Sequence, residues 1–169
     1  MSAHSSEEQF LNWYNEFADA IFRHCFFRLS DRERAKDATQ ETFIRLWNYL
    51  AQGKEVAHVR PLLYTIANNI IIDEYRRKET LSLDQMRDEQ GFDIGFDARK
   101  GIEEKHDVER LQDMLKQIPT QYREAFTMRH IDGLSVKEIA HITGDSENII
   151  SVRIHRAIEK IKHTYAQRT

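Results

Sequence analysis

The chain has 169 residues, 40% of them hydrophobic and 31% charged, a formal net charge of −3 and one cysteine, Cys25. A single cysteine excludes an intramolecular disulfide and a cysteine-cluster metal site, and no apolar run approaches the roughly 20 residues that span a bilayer, so membrane insertion is not expected. The start, MSAHSSEEQF, has no basic segment leading into an apolar one, which points away from export and toward a reducing cytoplasm.

With two prolines and six glycines among abundant Glu, Lys, Arg, Leu, Ile and Ala, the chain favours helix nearly throughout, and no strand pattern or internal repeat is visible. Ser6 to Gln9 and Ser30 to Glu33 have the spacing of capping boxes and predict helices over about 7–29 and 31–52, the second stopped by Gly53. The first is dense in aromatics (Phe10, Trp13, Tyr14, Phe17, Phe22, Phe26, Phe27), which are expected in the core, as is Cys25 beside them. Pro61 suits the first turn of a third helix, running to about Lys78.

From about Glu79 to His106 periodicity fails, and residues 79–107 hold nine acids against four bases. We expect a flexible acidic linker there. Beyond it, helices are predicted over 107–118, 120–131 after Pro119, 135–142 and 146–166, with a turn at Asp132-Gly133. The fold expected is all-α: two small helical domains, residues 7–79 and 107–166, joined by a linker over 80–106, with a helix-turn-helix in the C-terminal domain. Residues 153–169 hold Arg153, Arg156, Lys160, Lys162 and Arg168 against Glu159 alone, so that end is suited to phosphate.

The helix-turn-helix is read from residues 135–162. Ser135 and Glu138 form a capping box, Ile139 and Ala140 face inward, and Gly144 supplies the positive φ of a tight turn. In the long helix Ile150, Ile154, Ala157, Ile158, Ile161 and Tyr165 make an apolar stripe. Asn148, Ile149, Val152, His155 and Arg156 fall on the other side, at the end where recognition helices meet base edges in the major groove. Ser151 and Arg153 belong to the same stretch, and Arg129 lies just before the Asp132-Gly133 turn.

Two further faces are unusual. In helix 31–52, Asp37, Gln40, Glu41, Ile44 and Asn48 cluster opposite Ala35, Phe43, Leu46 and Leu50, which puts an isoleucine on a polar face. In helix 61–78 a narrow stripe of Thr65, Asn69, Asp73 and Arg76 remains on an otherwise apolar helix, suited either to bases and phosphates or to a solvated face with an Asp73–Arg76 ion pair.

DATQETFIRLW (37–47), RPLLYTIANNIIIDEYRRK (60–78) and LKQIPTQYREAFTMRHIDGLSVKEIA (115–140), in that order, resemble signatures of the extracytoplasmic-function sigma factors of the sigma-70 family. The resemblance implies a transcription initiation factor that binds core RNA polymerase and promoter DNA and is held by an anti-sigma partner. Asp37, Gln40, Glu41 and Arg45 would dock on the polymerase, with Ile44 and Asn48 on the same face. Asn69, with its neighbour Asn68, would capture a flipped base of the −10 element, flanked by Thr65, Asp73, Arg76 and Arg77. The C-terminal domain would read the −35 element as duplex through Arg129, Asn148, Ile149, Ser151, Val152, Arg153, His155 and Arg156. Where relatives usually have a glycine-threonine pair and then a base, this chain has Asn148, Ile149, Ile150 and Ser151, a departure that loses a basic contact at 151 and leaves its −35 preference open.

No catalytic constellation is expected. The eight histidines show no metal-binding spacing and no glycine-rich phosphate loop is present, so no enzyme, metal, cofactor or small-molecule substrate is predicted. The alternative is a stand-alone helix-turn-helix repressor or activator, which would dimerise on a palindrome and need no polymerase.

Overall fold

The computed structural model describes residues 3–82 and 102–168, and these form helices and short connections. Contacts divide the chain into two compact units, Met1–Gly91 and Phe92–Thr169. Most of the expected linker, 83–101, lies outside the described residues.

In the first unit α1 (Ala3–Leu29), α2 (Arg32–Ala51) and α3 (Val59–Ser82) each pack on the other two. Neither expected N-terminal capping box is used. α1 begins at Ala3, so Ser6 lies inside the helix. Ser30 takes a left-handed φ of 54° and its N–H donates to the Phe26 carbonyl at 2.8 Å, closing α1 rather than opening α2. Asp31, one residue on, caps α2 by accepting from the Arg34 N–H at 3.0 Å. Asparagine and aspartate compete with serine for this role, and sequence spacing alone could not choose between adjacent candidates.

The core joins Ile21, Cys25 and Phe26 to Ala35, Ala38, Phe43 and Leu46, and to Leu63, Tyr64, Ala67 and Ile71. Thr39 and Thr42, buried within α2, donate their hydroxyls back to the Ala35 and Ala38 carbonyls at 2.7 Å each, so neither carries an unmet donor into the core. The aromatics of α1 divide. Phe26 and Phe27 are buried, whereas Tyr14 is exposed and stacks with Phe10 against Phe43 and Trp47 in a half-covered cluster.

Arg28, on the last turn of α1, is only 5% exposed. Its Nη1 donates to Asn68 Oδ1 on α3 at 2.6 Å and lies 3.3 Å from His24 Nε2. The Tyr75 hydroxyl donates to the Arg28 carbonyl at 2.8 Å. Asn68 is therefore a core acceptor, 2% exposed, and is withdrawn from the −10 set.

The second unit comprises α4 (Ile102–Lys116), α5 (Thr120–Phe126), α6 (Val136–Thr143) and α7 (Glu147–Arg168). The helix expected over 120–131 is not regular. After α5 the chain passes through a π-helical turn, Thr127–Ile131, in which the Asp132 N–H reaches five residues back to the Thr127 carbonyl at 3.0 Å. Leu115, Ile118, Ala125, Met128, Leu134, Ile139, Ile142, Ile150, Ile154 and Ala157 form the core. Tyr165, expected on the apolar stripe, is 57% exposed because α7 outruns the elements that cover its first half.

Asn68→Ala should destabilise the first unit by about 2–3 kcal/mol, since it removes a close acceptor from a buried guanidinium. Asn69→Ala, one residue on but exposed, should stay within about 0.5 kcal/mol of the parent. Chemical denaturation followed by circular dichroism compares them, and equal stabilities would mean that Arg28 gains nothing from Asn68.

Candidate nucleic-acid interface

The first surface lies on α2. Burial of Ala35, Ala38, Thr42 and Leu46 fixes the helix's rotation and turns the opposite side outward. Asp37, Gln40, Arg45 and Asn48 are exposed, Glu41 is half-buried, and Ile44 stands among them 53% exposed. Arg45 Nε donates to Glu41 Oε1 at 3.0 Å, an exposed i,i+4 pair worth about 0.3–0.5 kcal/mol, weak enough for a partner to reorganise. An apolar side chain framed by exchangeable charges suits a protein partner better than water.

The second surface lies on α3. Leu63, Tyr64, Ala67, Asn68, Ile70 and Ile71 are buried, leaving Asn69, Asp73 and Arg76 exposed one turn apart. Thr65, half-buried, donates its hydroxyl to the Pro61 carbonyl at 2.8 Å. Arg77 Nη1 lies 3.9 Å from Glu74 Oε1 beside this stripe, at a rather exposed site. The stripe thus offers an amide, an acid and a guanidinium together.

The third surface is the helix-turn-helix. Both halves of the expected capping box form at α6: Ser135 Oγ accepts from the Glu138 N–H and Glu138 Oε1 from the Ser135 N–H, each at 3.1 Å. Gly144 adopts φ 81°, and its N–H donates to the Ala140 carbonyl at 2.9 Å. The Ser146 hydroxyl accepts from the Ile149 N–H at 3.2 Å and starts α7. Beyond this, Asn148, Ile149, Ser151, Val152, His155 and Arg156 all face outward. His155 Nε2 lies 3.1 Å from Glu159.

Two members of the expected set are differently engaged. Arg153 is half-buried and its Nη1 donates to Asp145 Oδ2 at 2.7 Å, so it braces the turn. Arg129 is exposed but one arm donates to the Leu134 carbonyl at 3.2 Å. The sequence placed Lys160 on the basic C-terminal stretch but gave no sign of Tyr122. Arg156 Nη1 lies 3.4 Å from the Tyr122 hydroxyl, and Lys160 Nζ lies 5.9 Å from that ring's centroid. The Arg156 hydrogen bond holds the Tyr122 phenol below its ordinary pKa, its positive charge adding to the effect while burial opposes it. Tyr122 follows the Pro119 break on a short helix, where no periodic pattern marks it. Only the packing of α5 on α7 brings it to the basic edge.

Among the described residues no group of three His, Cys, Asp or Glu side chains is placed to hold a metal ion, and no helix is long and apolar enough to cross a membrane.

Comparison with known proteins places both units. Residues 13–80 match the family model for sigma-70 region 2, and residues 108–161 match that for sigma-70 region 4. The chain is 29% identical over 160 residues to the RNA polymerase sigma factor YlaC of Bacillus subtilis, covering 94% of this chain and 90% of YlaC. It is 25% identical over 155 residues to the ECF RNA polymerase sigma factor BldN of Streptomyces coelicolor, covering 88% of this chain but 57% of BldN, so it spans little more than half the length of that relative. The fold resembles that of the sigma factor RpoE, solved in complex with the anti-sigma factor NepR from Bartonella quintana, with a TM-score of 0.78 at 18% identity over 92% of this chain and 96% of RpoE. The chain belongs to the sigma-70 family of RNA polymerase sigma factors, in its extracytoplasmic-function group.

Proposed function

We propose that the three surfaces divide the work of initiation. The outer face of α2, with Asp37, Gln40, Glu41, Ile44, Arg45 and Asn48, docks on core RNA polymerase. Asn69 on α3 captures an unpaired base of the −10 element, with Thr65, Asp73, Arg76 and Arg77 along the strand. The outward face of α7 reads the −35 element as duplex. Residues 7–79 and 107–166 are the two working domains and 80–106 the linker. What supports this reading most is α7, whose start is capped, braced by Arg153, and presents Asn148, Ile149, Val152 and Arg156 outward.

Arg153 acts here as a brace, and Tyr122, Arg156 and Lys160 take the phosphate backbone beside the groove. Arg156 lies about 12 Å along the axis from Asn148, at 1.5 Å per residue. That is the width of the major groove, so a helix entering by its N-terminus meets the far strand there. The chain works in the cytoplasm by binding alone, without catalysis or cofactor. RpoE is held by the anti-sigma factor NepR, and an anti-sigma partner is assigned to this chain too.

The central test is comigration of the purified chain with core polymerase, followed by run-off transcription. Ile44→Asp and Glu41→Arg should each weaken core binding on the order of tenfold, with the circular-dichroism melt unchanged. Unfolding by either would show that this face is core.

Asn69→Ala should change relative promoter strength roughly ten- to hundredfold at the recognised −10 position, for a lost base contact of about 1–3 kcal/mol. Permanganate footprinting should show the loss in bubble opening. A uniform loss in closed-complex binding on every −10 sequence would make the stripe a backbone contact instead.

Arg156→Ala should lower closed-complex affinity and reduce the salt slope by about one, leaving opening unchanged once the complex forms. It should also raise the Tyr122 phenol toward the ordinary value of about 10, because the donor that stabilises the phenolate is gone. NMR titration of the Tyr122 ring reads that shift, and an unmoved midpoint would break the proposed pairing.

A further inference from the structure

α7 carries, at its N-terminal end, two branched apolar side chains that its own fold leaves in water. Ile149 and Val152 are each 42% exposed and stand one turn apart. They project away from Ile150, Ile154 and Ala157, which are buried, so no rotation of α7 covers both sets. Ser151 between them is short, and Asn148 and His155 beside them are exposed. The Ile149 N–H is tied to Ser146 Oγ at 3.2 Å, and Arg153 is held to Asp145 at 2.7 Å, so the backbone that carries the pair is fixed. β-Branched residues in a helix keep essentially one χ1 rotamer, which makes the two side chains a rigid apolar contact.

If this end of α7 lies in the major groove, as the function proposed above requires, these residues meet base-pair edges. The apolar group a base pair presents there is the thymine C5-methyl; the other groups are hydrogen-bond donors and acceptors, which an aliphatic side chain would desolvate without replacing. We propose that Ile149 and Val152 read thymine methyl groups, so that thymine at two nearby positions is a specificity determinant of the −35 element this chain selects. Side chains three apart on a helix have Cβ atoms about 5–6 Å apart, and bases rise about 3.4 Å per step. The two thymines therefore lie one or two base pairs apart, on either strand. Asn148, on the same face, has the amide geometry that pairs with adenine N6 and N7, which makes the site A·T-rich.

The test uses holoenzyme assembled from this chain and core polymerase, and a pool of promoter duplexes randomised at −35. Selected elements should hold thymine at two positions one or two base pairs apart. The element is then remade with uracil, which pairs identically and lacks only the methyl. Each replacement should weaken closed-complex binding about fourfold, as expected for one methyl-sized apolar group. Ile149→Ala should abolish the response at one position and Val152→Ala at the other, with melting unchanged because both side chains are exposed. Uracil tolerated at both positions by the parent, or a response that neither variant alters, overturns methyl reading while leaving the helix in the groove. Selection of no −35 sequence at all overturns the groove assignment and this inference with it.

Discussion

A guanidinium withdrawn from water needs acceptors in place, because an uncompensated buried charge costs several kcal/mol. Arg28 creates that demand at the end of α1, and Asn68 answers it from α3 at 2.6 Å. Tyr75, two turns further along α3, ties the same spot by donating to the Arg28 carbonyl, one of the terminal carbonyls for which α1 has no partner of its own. These two polar contacts fall on the same side of α3 as buried Leu63, Tyr64, Ala67, Ile70 and Ile71 and agree with the rotation that they require. At about 100° per residue, committing Asn68 to the core turns Asn69 outward, with Asp73 and Arg76 following on the same side. The surface assigned to the −10 strand is a consequence of a core requirement.

The second unit solves the corresponding problem with a turn. Ser135 and Glu138 fix where α6 begins, Gly144 bends the chain in a conformation costly for other residues, and the Asp145–Arg153 pair fixes how α7 leaves the bend. That pair also matters electrostatically. Asp145 sits at the mouth of the recognition helix, where an uncompensated carboxylate would repel phosphate, and Arg153 neutralises it from within. On the proposed reading, a basic residue that looks like a DNA contact in sequence serves instead to remove a charge that DNA would meet.

What the sequence disclosed and what it hid follow from the range of the interactions involved. The α6 cap and the Gly144 turn depend on residues within a few positions of one another, and periodicity alone placed Ile44, Asn69, Ile149 and Val152 on outward faces. Where a neighbour could do the same job, reading failed: Asp31 rather than Ser30 caps α2, and α1 runs past Ser6. Where the partner lies far along the chain, no local pattern helps. Asn68 answers an arginine forty residues earlier, and Tyr122 meets Arg156 thirty-four residues later. The π-helical turn at Thr127–Ile131 lies in a stretch whose composition reads as ordinary helix, and nothing in the sequence marks it.

The charge balance explains why apolar side chains stand on faces assigned to binding. The chain carries a net charge of −3, so it has little of the long-range attraction that holds proteins on DNA regardless of sequence. On the proposed reading its DNA-facing surfaces act after polymerase has brought them to the duplex, when high local concentration replaces intrinsic affinity. Under those conditions contacts that discriminate are worth more than contacts that merely attract. An exposed isoleucine or valine adds nothing at a distance, is insensitive to salt, and contributes only when a complementary apolar group is pressed against it. Ile44 on α2 and Ile149 with Val152 on α7 have that character. On the proposed reading each contributes only when its partner is pressed against it, polymerase for Ile44 and the duplex for Ile149 and Val152.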